Sequence, residues 1–513
     1  MLVDNLISDL MASTYALPID IFRVLVGLLS FTYFLRTYAE TQDFSSPDGL
    51  IDHELCQDLY PATRLSLFQH GYGLLFFQFM FILACVASVL VIIGSAVKMA
   101  TAFLFLIAVS TYRWNFLVLY VDDAIMHLLL FWLLLLPVGH TLVLEDFLVG
   151  RASFDMWKTI TVPGFTMRLF LFNLGLLYLT AGLWKWTSPM WRNGTALYAV
   201  LKMAISRGPQ YWQSRHLPFL RIMNYTALVV EPIFPLMFLL STNSIIKWIL
   251  LTMFIGFHAG IIITMKIPFA NIAMLGSTVI IFRNELMNLI LKETPLQQQD
   301  HNIRQPDFSE IIALSLVICL TLMVIWDRRS RKMRIPLPKN NSDIMGFHQN
   351  PMYGPLWVIG MAQSFRLFDW IDDRNYHCSY EIVRTASDEQ STSADVQELF
   401  PLSTRNVLLQ SYLFGNLWRT IDPSRLGQLR HTIFQRYARR YCQNNRETSI
   451  IEVFVTVQRV TSDNLSLNRG IRRLMMRFAC QDGKHILYYN CLTPERFDHD
   501  TQSSILKHRN IDC

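Results

Sequence analysis

The stretch LTAGLWKWTSPMWRNGTALY, residues 179–198, ends an apolar run that begins near Phe165. Lys185 lies at the end of this run, close in sequence to Gly182 and to several tryptophans that include Trp191. A stretch of about 20 mostly apolar residues is long enough to cross the hydrocarbon core of a bilayer. The pattern predicts a membrane helix that carries an amine near its end and is followed by a turn in WRNGTALY.

The composition of the whole chain also indicates a membrane protein. Of 513 residues, 52% are hydrophobic and only 16% are charged, whereas about 25% of the residues in soluble domains are charged. Several of the apolar stretches are close together or interrupted, so the sequence predicts eight or nine crossings by a polytopic transmembrane helical bundle, a mainly α fold. The stretches lie near residues 17–36, 72–95, 99–116, 121–138, 165–185, 222–241, 245–265, 268–284 and 309–326.

The chain is predicted to have two domains, a transmembrane domain over 1–330 and a C-terminal extramembrane domain over 331–513. The cluster WDRRSRKMR follows the last apolar stretch. By the positive-inside rule it favours a cytoplasmic C-terminal domain, and it also fits contact with anionic lipid head groups. In the tail, IIEVFVTVQRV alternates like a strand and LGQLRHTIFQRYARRYC has the pattern of an amphipathic helix with a basic face. A small α+β domain is therefore expected, as a soluble cap or as a binding module.

The sequence lacks the motifs that mark several functional classes. The eight cysteines are dispersed without a C-x-x-C pair, which gives no support to a zinc or thioredoxin-like site and leaves disulfides open. The sequence has no Walker loop, no G-x-G-x-x-G and no H-E-x-x-H. The basic tail contains no nucleic-acid module that can be named. Neither a metal nor nucleic acid is predicted as a ligand, and the N-terminus lacks the basic region of a cleaved signal peptide.

Ionisable residues within the apolar stretches are the candidate functional residues, because a charge in lipid is costly. In the first span Asp20 and Arg23 are three residues apart, which favours an ion pair on one helix face. In the fourth span Asp122 and Asp123 come first, and His127 follows Asp123 by one turn. The helix dipole alone also favours carboxylates at a helix N-terminus.

Two later spans contain Glu231, in LVVEPIFPLMF, and His258, in MFIGFHAGII. A buried glutamate must pair with a cation or take up a proton, and a lone histidine in a span is more often a packing residue than a catalyst. Helical geometry places Tyr178, Gly182 and Lys185 on one strip of the fifth span. Lys185 is interpreted either as an amine that snorkels to the interface or as a partly desolvated base.

These stretches resemble a known family. YLTAGLWKWTSPMWRNGTALY is similar to a segment shared by vitamin K-dependent gamma-glutamyl carboxylase and its bacterial relatives, the HTTM (horizontally transferred transmembrane) domain proteins. IFRVLVG, DDAIMHLLLFWLLLLPVG, EPIFP and FHAGIIITMKIPFANIAML resemble further segments of that family. The resemblance covers most of residues 15–290, and the tail also looks like that of bacterial HTTM proteins.

The resemblance implies an activity. In the animal carboxylase the lysine that matches Lys185 deprotonates a reduced quinone, vitamin K hydroquinone. Oxygen converts the quinone into its epoxide through a strong base, and carbon dioxide then adds to a glutamate side chain. The animal enzymes carry a histidine where this chain has Asp123. The implied partners are the lipid bilayer, a quinone or lipid and a protein substrate, and the implied location is a bacterial inner membrane.

The resemblance also assigns residues. Lys185 and His258 are the catalytic candidates. The supporting candidates are Arg23, Asp122, Asp123, His127, Tyr178, Gly182, Trp191 and Glu231. Two other classes of function stay open: a non-catalytic scaffold that binds a lipid, a quinone or a protein, and a transporter with a proton path through Glu231, His258 and the two aspartates. The absence of detectable repeated halves counts against the transporter.

Overall fold

The computed structural model describes residues 10–59, 65–69, 71–115, 121–202, 206–208, 211–238, 240, 244–291, 307–332, 356, 358–361, 376–386, 395–398, 423–444, 449–459, 471–481 and 483–490. The prediction of a mainly α fold is confirmed. The longer helices up to residue 332 are α1 (Ala16–Ala39), α2 (Leu74–Ile93), α3 (Val97–Trp114), α4 (Val121–Leu135), α5 (Phe165–Lys185), α6 (Leu217–Ile233), α7 (Ile245–Thr264), α8 (Pro268–Ile281), α9 (Arg283–Leu291) and α10 (Phe308–Lys332).

Five of these helices are long and apolar enough to cross a membrane, counted over the residues that the structure describes: α1, α2, α5, α7 and the part of α10 up to Trp326. Helices α8 and α9 meet at a 60° bend and would together make a sixth crossing. The remaining predicted spans coincide with the shorter helices α3, α4 and α6. The apolar helices are consistent with a multi-pass membrane protein, and the number of eight or nine crossings stays a prediction.

Helices α1 and α5 begin at the same end of the bundle. Strand β1 (Ser13–Tyr15) directly precedes α1, strand β2 (Thr161–Pro163) precedes α5 after one residue, and the two strands pair antiparallel. A helix rises 1.5 Å per residue, so the 21 residues of α5 extend over about 30 Å. Lys185 is the last residue of α5 and therefore lies at the far end of the bundle, which we call the Lys185 end.

A buried ion pair joins three elements near the β1–β2 end. Arg23 Nε lies 2.8 Å from Asp20 Oδ1, and both side chains have no exposed surface, so the predicted Asp20–Arg23 pair is present. The guanidinium also donates to carbonyls of residues 91–92 and 141–142. Asp20 in turn accepts backbone N–H groups from residues 139–141. The pair therefore ties α1 to the end of α2 and to the loop after α4.

The C-terminal part of the chain contains a five-stranded antiparallel sheet of order β4-β3-β5-β6-β7 and a basic helix, α11 (Pro423–Asn444). The strands are β3 (Tyr376–Ala386), β4 (Asp395–Glu398), β5 (Ser449–Arg459), β6 (Ile471–Gln481) and β7 (Lys484–Asn490). The predicted strand IIEVFVTVQRV coincides with β5 and the predicted amphipathic helix lies in α11, so both predictions are confirmed. A disulfide between Cys442 and Cys480 joins α11 to β6. The sequence also predicts a linker at Pro336, Pro338, Asn340 and Asn341, which lies outside the described residues.

Helix α11 docks on the segment that follows α1. Arg436 donates to the backbone carbonyls of Pro47, Gly49 and Ile51. Arg440 forms an ion pair with Asp43. Because this segment follows the end of α1 that is remote from β1, the sheet domain contacts the bundle at the Lys185 end.

Candidate functional site

A cavity of about 340 Å³ opens at the Lys185 end between α4, α5, α6, α7, α8 and the segment 189–202. Most of its lining is apolar, with a few polar side chains among them. Small-molecule sites in proteins are typically apolar concavities of about 300–1,000 Å³ with a few convergent polar groups. The polar lining side chains are Tyr178, Lys185, Glu231, His258, Thr264 and Asn271.

Local sequence explains why α5 stops at Lys185. After it, Thr187 and Ser188 donate their N–H groups to the carbonyls of Trp184 and Lys185, which makes a tight turn. Pro189 has no N–H to continue the helix and instead begins the short helix Pro189–Arg192. The lysine is thereby held at the last turn of α5, on the strip that Tyr178 and Gly182 also occupy.

Lys185 pairs with Glu231 of α6. Its Nζ lies 2.5 Å from Glu231 Oε2, and the two side chains are only 5% and 6% exposed. Nζ also lies 5.5 Å from the ring centroid of Trp191, which is a favourable cation–π position. The amine is therefore buried at the cavity, and the alternative in which it snorkels to the interface is wrong. The sequence indicated that Glu231 must pair with a cation or take up a proton, and the structure places a cation beside it, Lys185, which lies 46 residues earlier in the chain.

Gly182 lets α6 approach α5 at this pair. A Cβ at position 182 would lie 2.6 Å from Cδ of Pro232, closer than real Cβ contacts. Pro232 has no N–H for the carbonyl of Leu228, four residues earlier in α6. That carbonyl accepts a hydrogen bond from Trp186 Nε1 at 3.0 Å instead. The glycine and the proline thus bring the backbones together where Lys185 and Glu231 meet.

A second polar chain faces the same cavity through Tyr178, His258 and Asn271. Asn271 Nδ2 donates to the carbonyl of Ile267 at 2.7 Å, so its Oδ1 is the acceptor 2.8 Å from His258 Nδ1. Nδ1 must then carry the imidazole proton. His258 Nε2 is left as the acceptor for the Tyr178 hydroxyl at 2.8 Å. The chain fixes one tautomer of His258 and aims a basic nitrogen at the phenol.

The sequence predicted a turn in WRNGTALY, and this turn lies over the cavity, which Trp191 and Leu197 line. Gly194 has φ of +75°, and the N–H of Thr195 bonds back to the carbonyl of Met190. This left-handed conformation favours glycine. Asn224 of α6 holds the turn, since its Nδ2 donates to the carbonyl of Trp191 at 2.8 Å and its Oδ1 accepts the N–H of Leu197. Trp191 and the helix Ala196–Lys202 are thereby placed over the amine.

The two aspartates of α4 support the cavity without lining it. Asp122 Oδ1 accepts the N–H of Ala270 at 2.8 Å and so caps the N-terminus of α8 from another helix. Asp123 Oδ1 accepts the hydroxyl of Tyr33 at 2.6 Å. These bonds connect α4 to α8 and to α1. Both residues are therefore positioning groups next to the site.

Arg23 and His127, two of the predicted supporting residues, are not among the described residues that line the cavity. Arg23 is engaged near the β1–β2 end, about 20 Å along the bundle axis from Lys185 at the helical rise per residue. His127 packs edge-on against Tyr112 at 4.8 Å between ring centroids. Ile125 faces the cavity, and a residue two positions later points about 200° around the helix. The site-lining assignments of Arg23 and His127 are wrong for these reasons.

Sequence reasoning missed Asn271 and Asn224, which orient His258 and the covering turn. Neutral amides in apolar helices do not stand out as charges do, although FHAGIIITMKIPFANIAML contains Asn271. It also missed a second buried ion pair, between Lys247 and Glu285, whose side chains are 6% and 7% exposed. This pair lies at the start of α7 and the start of α9, away from the cavity.

Known proteins give no independent assignment of this site. No family model matches the chain, and no curated protein or solved structure matches it either. The resemblance to HTTM proteins and the carboxylase therefore stays a prediction from the sequence.

Proposed function

We propose that the cavity binds a lipid-soluble molecule that carries an acidic hydroxyl, and that Lys185 removes the hydroxyl proton. The observation that carries this proposal is the Lys185–Glu231 pair, which is buried at an apolar cavity instead of being exposed to water. A general base needs to lie within reach of its substrate and to have an unprotonated form available. Lys185 lines the cavity, which meets the first requirement.

Glu231 can meet the second requirement. Transfer of one proton from Lys185 Nζ to Glu231 Oε2 converts two buried charges into a neutral amine and a neutral acid. A neutral pair would avoid the loss of hydration that two buried charges suffer. The neutral amine then accepts the ligand's proton, so Lys185 becomes an ammonium again beside the ligand oxyanion. The net result is one proton moved from the ligand to the Lys185–Glu231 pair.

The Tyr178–His258–Asn271 chain supplies a second polar contact for the ligand. The Tyr178 hydroxyl donates a hydrogen bond to His258 Nε2, so its oxygen has lone pairs free to accept a hydrogen bond in the cavity. Tyr178 and Lys185 are separated by two turns on α5, about 10 Å of rise. A ring-sized ligand between them would be oriented by both groups.

The finer proposal follows the resemblance: a carboxylase-like enzyme of the HTTM type in a bacterial inner membrane, with eight or nine crossings and a quinone-type cosubstrate. When bound, a reduced quinone with oxygen supplies the oxidative chemistry, and carbon dioxide is the group that is added. The cavity fits such a group because its volume and apolar lining suit a flat apolar ring, and its polar groups are few. Exclusion of water would protect a strongly basic species.

A non-catalytic scaffold is the second candidate. Its support is that Lys185 already has a carboxylate partner, which makes the pair a connection between α5 and α6. A transporter has less support, because Asp122 and Asp123 hold α8 and Tyr33. A proton path through these aspartates would have to break those bonds.

Lys185→Arg separates the two main candidates. Arginine keeps the positive charge beside Glu231 but does not lose its proton in proteins. Membranes with the wild-type chain, Lys185→Arg or Lys185→Ala should be incubated with a reduced naphthoquinone, oxygen and carbonate, and the epoxide measured by chromatography. Lipid that copurifies with each protein should be identified by mass spectrometry.

The enzyme proposal expects epoxide from the wild type and none from either variant, with the variants still folded in the membrane. Equal turnover by Lys185→Arg would remove Lys185 as the base. Wild-type protein that forms no epoxide but retains the same lipid as Lys185→Arg would establish the scaffold instead.

A further inference from the structure

A loop near the β1–β2 end of the bundle exposes large apolar side chains. Residues 144–157, which we call the apolar loop, follow α4 and precede β2. They include two short helices, Leu144–Leu148 and Phe154–Trp157. Six large apolar side chains of the apolar loop are between 43% and 72% exposed: Leu144, Phe147, Leu148, Val149, Phe154 and Met156. Clusters of exposed apolar side chains of this kind mark interaction surfaces.

The apolar loop presents an ordered apolar face. Leu144, Phe147 and Leu148 are at positions i, i+3 and i+4 of the first short helix, so they share one face. Glu145 lies elsewhere on that helix and is also exposed. The ring of Phe147 packs against that of Trp157 with 6.3 Å between the ring centroids, which joins the two short helices. The apolar face is therefore held in place by a contact within the loop.

Both ends of the apolar loop are fixed to the bundle. Just before it, the carbonyl of Leu142 accepts a hydrogen bond from Arg23, which also donates to the carbonyl of Ile92 at the end of α2. Just after it, the carbonyl of Ile160 accepts the N–H of Ala16 at the start of α1. Ala16 and Arg23 are seven residues apart on α1. The two attachment points are therefore separated by about 10 Å along the bundle at the helical rise per residue.

The apolar loop begins at the level where a lipid-facing surface ends. Helix α2 is a candidate span with most of its apolar window unburied. Its exposed apolar strip has spacings of three and four residues, which place its members on one face. The members of the strip are Phe79, Ile82, Val86 and Val89. Val143, directly before the apolar loop, lies against Gly94, the C-cap of α2, because a Cβ on Gly94 would be 3.2 Å from Val143 Cα.

The boundary between lipid head groups and acyl chains is the partner that fits this level. A segment in the plane of a membrane buries its apolar face about 5–10 Å into this boundary, comparable with the separation of the two attachment points. The charges do not favour anionic lipid, since Glu145, Asp146 and Asp155 outnumber Arg151 and Lys158. Insertion therefore depends on apolar burial and not on attraction to anionic head groups.

We propose that the apolar loop lies in the plane of the membrane and inserts Leu144, Phe147 and Leu148 among the acyl chains of the leaflet at the β1–β2 end. This proposal is independent of the proposed function, because the apolar loop and the cavity at Lys185 are at opposite ends of the bundle. A second copy of the chain or another protein would instead cover the same side chains with protein, and the test separates these cases.

The test places a fluorescent aromatic amino acid at Phe147 of the full chain, in nanodiscs of phosphatidylcholine. Lipids with a doxyl quencher near the head group or near the end of the acyl chain report depth, and iodide reports contact with water. We expect strong quenching by the shallow doxyl lipid, weaker quenching by the deep one and little by iodide. Partial replacement of the lipid by phosphatidylglycerol should leave this profile unchanged.

Two control positions calibrate the depth scale. The same amino acid at Val86, an exposed position near the middle of α2, should respond most to the deep doxyl lipid. At Arg439, an exposed position of α11, it should respond to iodide and to neither lipid. These responses define the signals of the hydrocarbon core and of water against which position 147 is judged.

A Leu144→Ser/Leu148→Ser variant, labelled at position 147, removes two inserted side chains that are exposed in the folded chain. The loss of two leucines from lipid should lower the equilibrium for insertion by at least about 100-fold. Iodide should then reach the label, and the shallow doxyl lipid should quench it several-fold less. The matched control is Glu145→Ser/Asp155→Ser, which places two serines at exposed charged positions of the same loop and should keep the original profile.

Three results would overturn the proposal. Quenching by iodide without quenching by lipid, in the chain with no serine substitution, would place Phe147 in water. Protection from both kinds of quencher would mean that a second copy or another protein covers the apolar face. Equal quenching of the two serine variants by the shallow lipid would show that the leucines do not hold the apolar loop in the leaflet.

Discussion

A double-mutant cycle on Lys185 and Glu231 tests whether the pair is buried and coupled. The variants are Lys185→Met, Glu231→Leu and the double variant, in which both side chains are apolar and of similar size. Removal of one partner leaves the other charge in an apolar cavity without compensation. Replacement of both leaves no charge to solvate, so the two effects should not add.

The size of the effect follows from the burial of the pair. With the side chains 5% and 6% exposed, each single variant should lower the free energy of unfolding by about 3–5 kcal/mol. The double variant should lie within about 1–2 kcal/mol of the wild type, because the cation–π contact with Trp191 is also lost. The coupling energy should then be at least about 4 kcal/mol, large for two residues in contact.

Unfolding by increasing mole fractions of SDS in mixed micelles, followed by circular dichroism, measures these free energies. Arg36 and Glu40 provide the matched control, an i,i+4 pair whose side chains are 32% and 13% exposed. Their coupling should not exceed about 1 kcal/mol. Additive costs at Lys185 and Glu231 would mean that each group is solvated separately, and the argument for a dry ion pair would be refuted.

Three further predictions concern the supports of the site and the docked domain. Gly182→Ala should lower the free energy of unfolding by about 1–3 kcal/mol, because its Cβ would overlap Pro232; Gly256→Ala, with open space, should not. Asn271→Leu should remove the acceptor that holds the imidazole proton on His258 Nδ1. The ¹⁵N spectrum of labelled histidine should then change at the signal that His258→Gln removes. An unchanged tautomer would contradict the assignment. Arg436→Ala should speed proteolysis within 43–52 several-fold, whereas the exposed Arg439→Ala should not; equal rates would show that Arg436 does not dock α11.

The helices and strands could be predicted because their signals are local. The apolar run that ends at Lys185 is visible in about 20 consecutive residues, and the alternation in β5 in about ten. The number of crossings could not be fixed in the same way. Helices α3, α4 and α6 are short or carry polar residues, so composition alone does not separate a span from a buried core helix.

The site was predicted only in part because its residues act through distant partners. Lys185, Glu231 and His258 stood out since charges in apolar stretches are costly. Which cation meets Glu231 depends on how α6 packs on α5, and that is set by Gly182 and Pro232 together. Arg23 carried the same kind of signal, but its partners are Asp20 and backbone carbonyls near the β1–β2 end.

The packing of α5 on α6 bears on why the ion pair is present. Gly182 against Pro232 and the bond from Trp186 to the Leu228 carbonyl already fix the approach of the two helices. A well-packed apolar pair at positions 185 and 231 would be as stable as the ion pair or more so, because two charges lose their hydration on burial. Helix packing therefore does not require these charges. Transfer of a proton at this position does require ionisable side chains, since an apolar pair can neither accept nor donate a proton. Lys185 and Glu231 both line the cavity, where the hydroxyl of a ligand could reach them.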